Sequence, residues 1–235
     1  MIRVLAAHGR RRLLWTSLAL TAVLAALPLA DRIAVAAAEA RLAGRIADRQ
    51  KALAGTPQVS IDAFPFLLSA AEGTFPRVAV RADAVTAEGQ PVQASVELRG
   101  VTGKAGAYTA ATADARFTVP FGSFGSLGSF GDGPGEGASL SADAEGRLRI
   151  DREVLGLPLT VVAELRLTGR TITPVPVAAS FAGRPVDPAG PRVAGAFAGR
   201  ERTVPELPAG LTPTGISVGD AGVTLHARAE GVRLA

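Results

Sequence analysis

From Val78 onward the apolar side chains recur mostly with a period of two. Val92, Ala94, Val96 and Leu98 form one such run, and Ala113, Ala115, Phe117 and Val119 another. Leu159, Val161, Ala163, Leu165 and Leu167 form the clearest, with Thr160, Glu164 and Arg166 between them. Val223, Leu225, Ala227 and Ala229 close the series after a Gly-Asp-Ala-Gly turn at 219–222. A period of two belongs to strands with one face buried and one wet. Residues 140–143 and 147–150 flank Ala144-Glu145-Gly146, a hairpin signal. Strands this close together, with no long helix between them, pair antiparallel.

A helical pattern precedes the strands. Residues 31–54 are Ala-rich, with Ile33, Ala36, Ala37, Ala40, Ala43 and Ala47 at helical spacing. Gly55 and Pro57 follow as stop signals. One leading helix and a large curved antiparallel sheet make an α+β fold.

Residues 57–82 join the two parts. Val59 and Ile61 alternate with polar neighbours. Phe64-Pro65-Phe66-Leu67-Leu68 then forms an apolar block, and a central strand cannot run through Pro65, which lacks an N–H. Phe75 lies between Gly73 and Pro76, and Val78-Ala79-Val80 resumes an extended run. The spacing predicts a strand entering, an aromatic corner, and a strand leaving. Two readings of Phe64, Phe66, Leu67 and Phe75 stand side by side: ordinary core, or the lining of an apolar groove. Phe117 belongs to the same choice.

The Ile-x-x-Phe-Pro-Phe-Leu block followed by Gly-x-Phe-Pro-x-Val resembles the signature region of the LmeA-like family of actinobacterial envelope proteins. Leu207-Pro208-x-Gly210-Leu211 and Ala221-Gly222-Val223-Thr224-Leu225 are similar to that family's closing segment. The resemblance spans nearly all of the chain after the N-terminal apolar run. It implies phospholipid binding, an association with lipomannan elongation, and a fold similar to tubular lipid-binding domains.

Residues 1–30 hold Arg3, Arg10, Arg11 and Arg12 and no acid, and residues 13–30 are uncharged. This reads as a signal peptide or uncleaved signal anchor. Eighteen residues can span a hydrocarbon layer of ~30 Å. The arginines would stay cytoplasmic, which places residues 31–235 outside as a single domain. Four of the 25 basic residues thus sit in the leader, and the remainder balances the 21 acidic ones. A neutral body has no field to gather phosphate backbones, so nucleic acid is excluded as a partner.

Residues 121–137 repeat an apolar-Gly-Ser triplet and read as a loop that is costly to order. Phe121, Phe124, Leu127 and Phe130 make it either a plain linker or an apolar flap over a lipid site. Residues 183–202 are Pro/Gly-rich and read as a surface loop with one helical turn near 193–198.

Catalytic patterns are missing. Cys is absent, and the two histidines are His8 in the leader and His226 in a strand pattern. That excludes thiolate chemistry and a multi-His metal site. No GxSxG, P-loop, HExxH or GxGxxG occurs. The expectation is a non-enzymatic phospholipid-binding protein of the cell envelope, with no cofactor and no metal. Its partners would be phospholipid, the membrane through the N-terminal segment, and envelope glycolipid-synthesis proteins. The competing classes are an enzyme or enzyme accessory in glycolipid mannosylation, and a structural envelope protein binding a protein partner.

Overall fold

The computed structural model describes residues 6–50, 52–86, 89–104, 106–123, 138–191, 193 and 201–234, with side chains from residue 26 onward. Helix α1 (Ala6–Arg49) includes Pro28. It stops five residues before the expected 54, because Leu53 already bridges Ala84 and the Ala54 N–H donates to the Asp83 carbonyl. Strand β1 (Gln58–Asp62) follows. The aromatic corner then contains a short helix that alternation did not reveal, α2 (Phe66–Glu72). A cis peptide joins Phe64 to Pro65 before it.

Strands β2 (Thr74–Val85), β3 (Pro91–Lys104) and β4 (Ala107–Val119) form a meander. After the Phe-rich segment come β5 (Ser139–Ala142), β6 (Leu148–Val154), β7 (Leu157–Thr168) and β8 (Thr171–Phe181). Short β9 (Arg184–Val186) and β10 (Arg202–Thr203) both pair with β8. Residues 184–186 are therefore strand, not loop. The expected helical turn near 193–198 lies almost wholly outside the described residues. Strands β11 (Thr212–Gly219) and β12 (Gly222–Leu234) close the chain.

The single sheet expected from alternation divides in two. The first runs β1-β2-β3-β4-β12-β11, and the second β10-β8-β7-β6-β5 with β9 also on β8. Every strand pairing among the described residues is antiparallel. The first sheet closes through a long-range pairing of β4 with β12, Val119 opposite Val223.

The first sheet buries one face. Its centre is Val78, Leu98, Ala113 and Ala115, with Ala227 from β12 and Leu211 from the loop before β11. One crease crosses four strands. The residues Pro76, Gly100, Ala111 and Gly231 lie in one row, where the ladder is interrupted, and the strands keep the same register on either side of it. Gly100 (φ 59) and Gly231 (φ 62) occupy the left-handed region that suits residues without Cβ. The crease shifts the parity of the buried face. Val78, Leu98 and Ala113 are buried before it, Val101, Ala110 and Val232 after it. A sheet creased this way stays apolar on one continuous side while it turns.

Helix α1 packs on β1 and α2, at one edge of the first sheet. Val35 joins Ala63 and Phe66 in a small core, with Ala34, Ala38, Ile61 and Phe75 around it. Two carboxylates pin the joint. Glu39 Oε1 accepts the Ile61 N–H at 2.8 Å, and Asp31 Oδ1 accepts the Leu67 N–H at 2.8 Å.

Candidate functional site

The apolar face of the first sheet is closed at one end and half-open at the other. Near α1 it is sealed by an aromatic cluster. Phe66 and Phe75 lie 6.0 Å apart between ring centres, and Phe75 and Tyr108 6.1 Å. Such tilted pairs add to the burial energy of their rings. The alanines Ala110, Ala113, Ala115 and Ala227 form the floor and are 0–3% exposed. Beyond Ala115 the face opens. The row Ala82-Ala94-Phe117-Leu225-Ile216 runs across five strands and is half-buried throughout.

This half-open end meets the second sheet. Leu148 and Ile150 of β6 pack with Val218 of β11, and Phe121, Leu140, Leu165 and Val223 surround them. The register places Leu140, Ile150, Val161 and Ala179 in one row of the second sheet. The apolar faces of both sheets thus converge at Val218 and form one surface. Strand β8 contributes Ile172, Pro174 and Pro176 to it, all half-buried.

A cleft of about 410 Å³ opens beside this seam, lined by Glu145, Arg147, Glu164 and Ser217 and walled by Leu165, Ile216 and Val218. Its charges are already paired. Arg147 bridges Asp143 and Glu145 at 2.7 Å each, and Arg166 bridges Glu164 at 3.1 Å. Burial pushes the Asp143 carboxyl up, but the Arg147 N–H, the Arg147 guanidinium and the Glu145 N–H outweigh it and hold the group below its usual range. Carboxylates outnumber guanidinium groups here, so the cleft carries no excess positive charge for a phosphate.

The sequence-predicted residues separate into four groups. Phe66 and Phe75 belong to the sealed end. Phe117 lies on the half-open face, and Phe121 packs at the seam. Phe64 and Leu67 point outward, 69% and 48% exposed. Phe124, Leu127 and Phe130 lie outside the described residues, as do the side chains of most of the apolar run 13–30. Among the described residues no helix is long and apolar enough to cross a membrane.

Three residues that shape the site gave no signal in the sequence reading. Asp31 is 5% exposed. The Leu67 N–H, the Phe66 N–H and the Arg32 charge hold its carboxyl below the usual range, against the opposing effect of burial. An acid directly after a long uncharged run was the available clue. Glu39 is one of several charged residues along the helical segment 31–54, and its spacing does not distinguish it from them. Tyr108, the one tyrosine, opens the extended run 108–119, and nothing in the alternation singles it out from its neighbours.

Among the described residues two hydroxyls meet a potential base: Thr160 donates to the Asp151 carboxylate, which already pairs with Arg149, and Ser217 meets His226. Ser217 Oγ and His226 Nε2 lie 2.9 Å apart across the β11–β12 hairpin. No second hydrogen bond orients the imidazole among the described residues, as a Ser–His pair requires for general-base work. The contact serves as a cross-strand bridge. Among the described residues no group of His, Asp and Glu could hold a metal ion.

A family model described as LmeA-like phospholipid-binding matches residues 29–228. No curated protein and no solved structure matches the chain at a significant level.

Proposed function

Because this chain belongs to the LmeA-like phospholipid-binding family, we propose that it is a non-enzymatic phospholipid carrier whose lipid chains rest on the joined apolar faces of its two sheets. The observation that carries this reading is the half-open stretch around Phe117, continuous with the second sheet at Val218. A contiguous row of partly exposed apolar side chains across five strands is the kind of surface that takes an apolar ligand. Each methylene removed from water there contributes about 0.8 kcal/mol, so even part of one acyl chain supplies several kcal/mol. The sealed end at Phe66, Phe75 and Tyr108 limits how far a chain can reach.

The reading extends to the cell. The basic leader and the uncharged run 13–30 attach the protein to the cytoplasmic membrane, with the sheets on the extracytoplasmic side. In that position the protein supplies or holds phospholipid for envelope glycolipid synthesis of the lipomannan type, with the synthesis proteins as partners.

Photo-crosslinking locates the lipid. A phosphatidylglycerol with a diazirine at the acyl terminus is incubated with the full-length chain, irradiated, and the adducts mapped by peptide mass spectrometry. The reading requires adducts on β3, β4, β12 and β7. Adducts confined to residues 13–30 would overturn it.

A further inference from the structure

Ten large apolar side chains stand well exposed among the described residues, and six of them ring α1 at one level, Leu29 and Ile33 on the side of the helix away from Asp31 and the α2 residues on the other. Leu27, Leu29 and Ile33 come from α1, and Phe64, Leu67 and Leu68 from the corner and α2. Two contacts bring these elements together. The Leu67 N–H reaches Asp31 Oδ1 at 2.8 Å, and the Arg32 guanidinium lies 5.7 Å from the centre of the Phe64 ring. Leu29, Arg32 and Ile33 share one side of α1 by their three- and four-residue spacing. The result is an apolar collar with one cation in it.

The collar has a definite address on the chain. It surrounds α1 where the uncharged run 13–30 ends. Behind it, Phe66 touches Phe75, the first ring of the sealed end of the apolar face. Aromatic and aliphatic side chains beside a long-stemmed cation are the composition that settles at the boundary of headgroups and acyl chains.

We infer that Leu29, Ile33, Phe64, Leu67 and Leu68 seat the protein in the interfacial layer of a phospholipid bilayer, with Arg32 at headgroup level. This rests on the proposed membrane attachment of α1 and is independent of where lipid binds on the sheets. Seating fixes the orientation of the body. The α1–α2 edge of the first sheet lies against the membrane, and Leu155 of the β6–β7 turn, 96% exposed, stays in water.

The absence of Cys permits single-site labelling. Full-length chains carrying Phe64→Cys, Leu67→Cys or Leu155→Cys are labelled with an environment-sensitive nitrobenzoxadiazole and placed in vesicles of phosphatidylcholine and phosphatidylglycerol. All three positions are exposed, so the fold is retained. The expected result is blue-shifted emission and several-fold weaker iodide quenching at 64 and 67 than at 155. Equal iodide quenching at all three positions overturns the inference, even if co-extracted phospholipid upholds the lipid-binding reading. Shielding at 64 and 67 that rises with protein concentration at fixed lipid assigns the collar to a second copy and also overturns it. Shielding at 64 and 67 with no lipid extracted from the protein upholds the collar and removes the lipid-binding face.

Discussion

Phe64 and Phe66 are two residues apart and should behave as opposites. Phe66 is 7% exposed, is the buried residue of α2, and stands in a core with Val35 and Ala63. Truncating a buried Phe to Ala costs about 3–5 kcal/mol. The core here is small and lies at the edge of the body, so neighbours can relax into the gap and the lower end applies, about 3 kcal/mol. For a domain of this size each kcal/mol moves the melting temperature by about 2–4 °C. Phe66→Ala should therefore lower it by roughly 6–12 °C. Phe64 is 69% exposed, and Phe64→Ala should stay within about 0.5 kcal/mol of the parent. A double-mutant cycle with Phe75→Ala should return a coupling of about 0.5–1.5 kcal/mol to Phe66 and none to Phe64. Thermal and urea unfolding of the full-length chain measure all of these. Equal losses from Phe64→Ala and Phe66→Ala, or a loss below about 1 kcal/mol from Phe66→Ala, would refute the division of this corner into an anchored and a displayed ring.

Asp31→Asn should destabilise the protein at neutral pH. The folded carboxyl is held below its usual value of 3.8, so its contribution is complete above that value and is lost as pH falls through the lower folded one. Melting curves of parent and variant should therefore converge below about pH 4. At the crease, Gly231→Ala meets no atom within 4 Å and should cost only the left-handed backbone, about 1–2 kcal/mol. Gly100→Ala adds a Cβ 3.1 Å from that of Ala111 and should cost more by urea unfolding; the reverse order would refute the crease. Replacing Phe124, Leu127 and Phe130 by Ser should reduce lipid uptake from vesicles with the melting temperature unchanged, and unchanged uptake would sink the flap. Phe121 is left out of that set because it packs at the seam. Ser217→Ala should leave lipid uptake intact, as expected for a cross-strand bridge, and a loss of uptake would give the hydroxyl a direct role.

Much of the fold was legible because sheet geometry writes a period of two into the residues. Leu159 to Leu167 alternate and form β7, and the Gly-Asp-Ala-Gly turn sits between β11 and β12 as expected. Alternation says which face is buried but not which strands pair. The pairing of β4 with β12, and the division into two sheets, therefore stayed hidden. The crease was hidden for a related reason. All four strands place one residue in the crease row, so the register is kept while Val101 and Val232 bury on the parity opposite to Leu98 and Ala229. Helix α2 escaped because seven residues starting from Phe-Leu-Leu look like any short apolar run. Its helical state depends on contacts with α1, among them the Asp31 carboxylate. Phe64 and Phe66 were indistinguishable in sequence for the same reason: only the packing of α2 on α1 decides which ring faces inward.

Phospholipid held on the joined apolar faces would leave with the protein on purification. The most direct measurement is to purify the full-length chain from bacterial membranes, extract it with organic solvent, and quantify co-extracted lipid by mass spectrometry against a Phe117→Glu variant of equal yield and folding. About one phospholipid per chain in the parent, sharply reduced in the variant, is the result expected from burial of acyl chains against that face. A folded parent carrying no more phospholipid than the variant would contradict it.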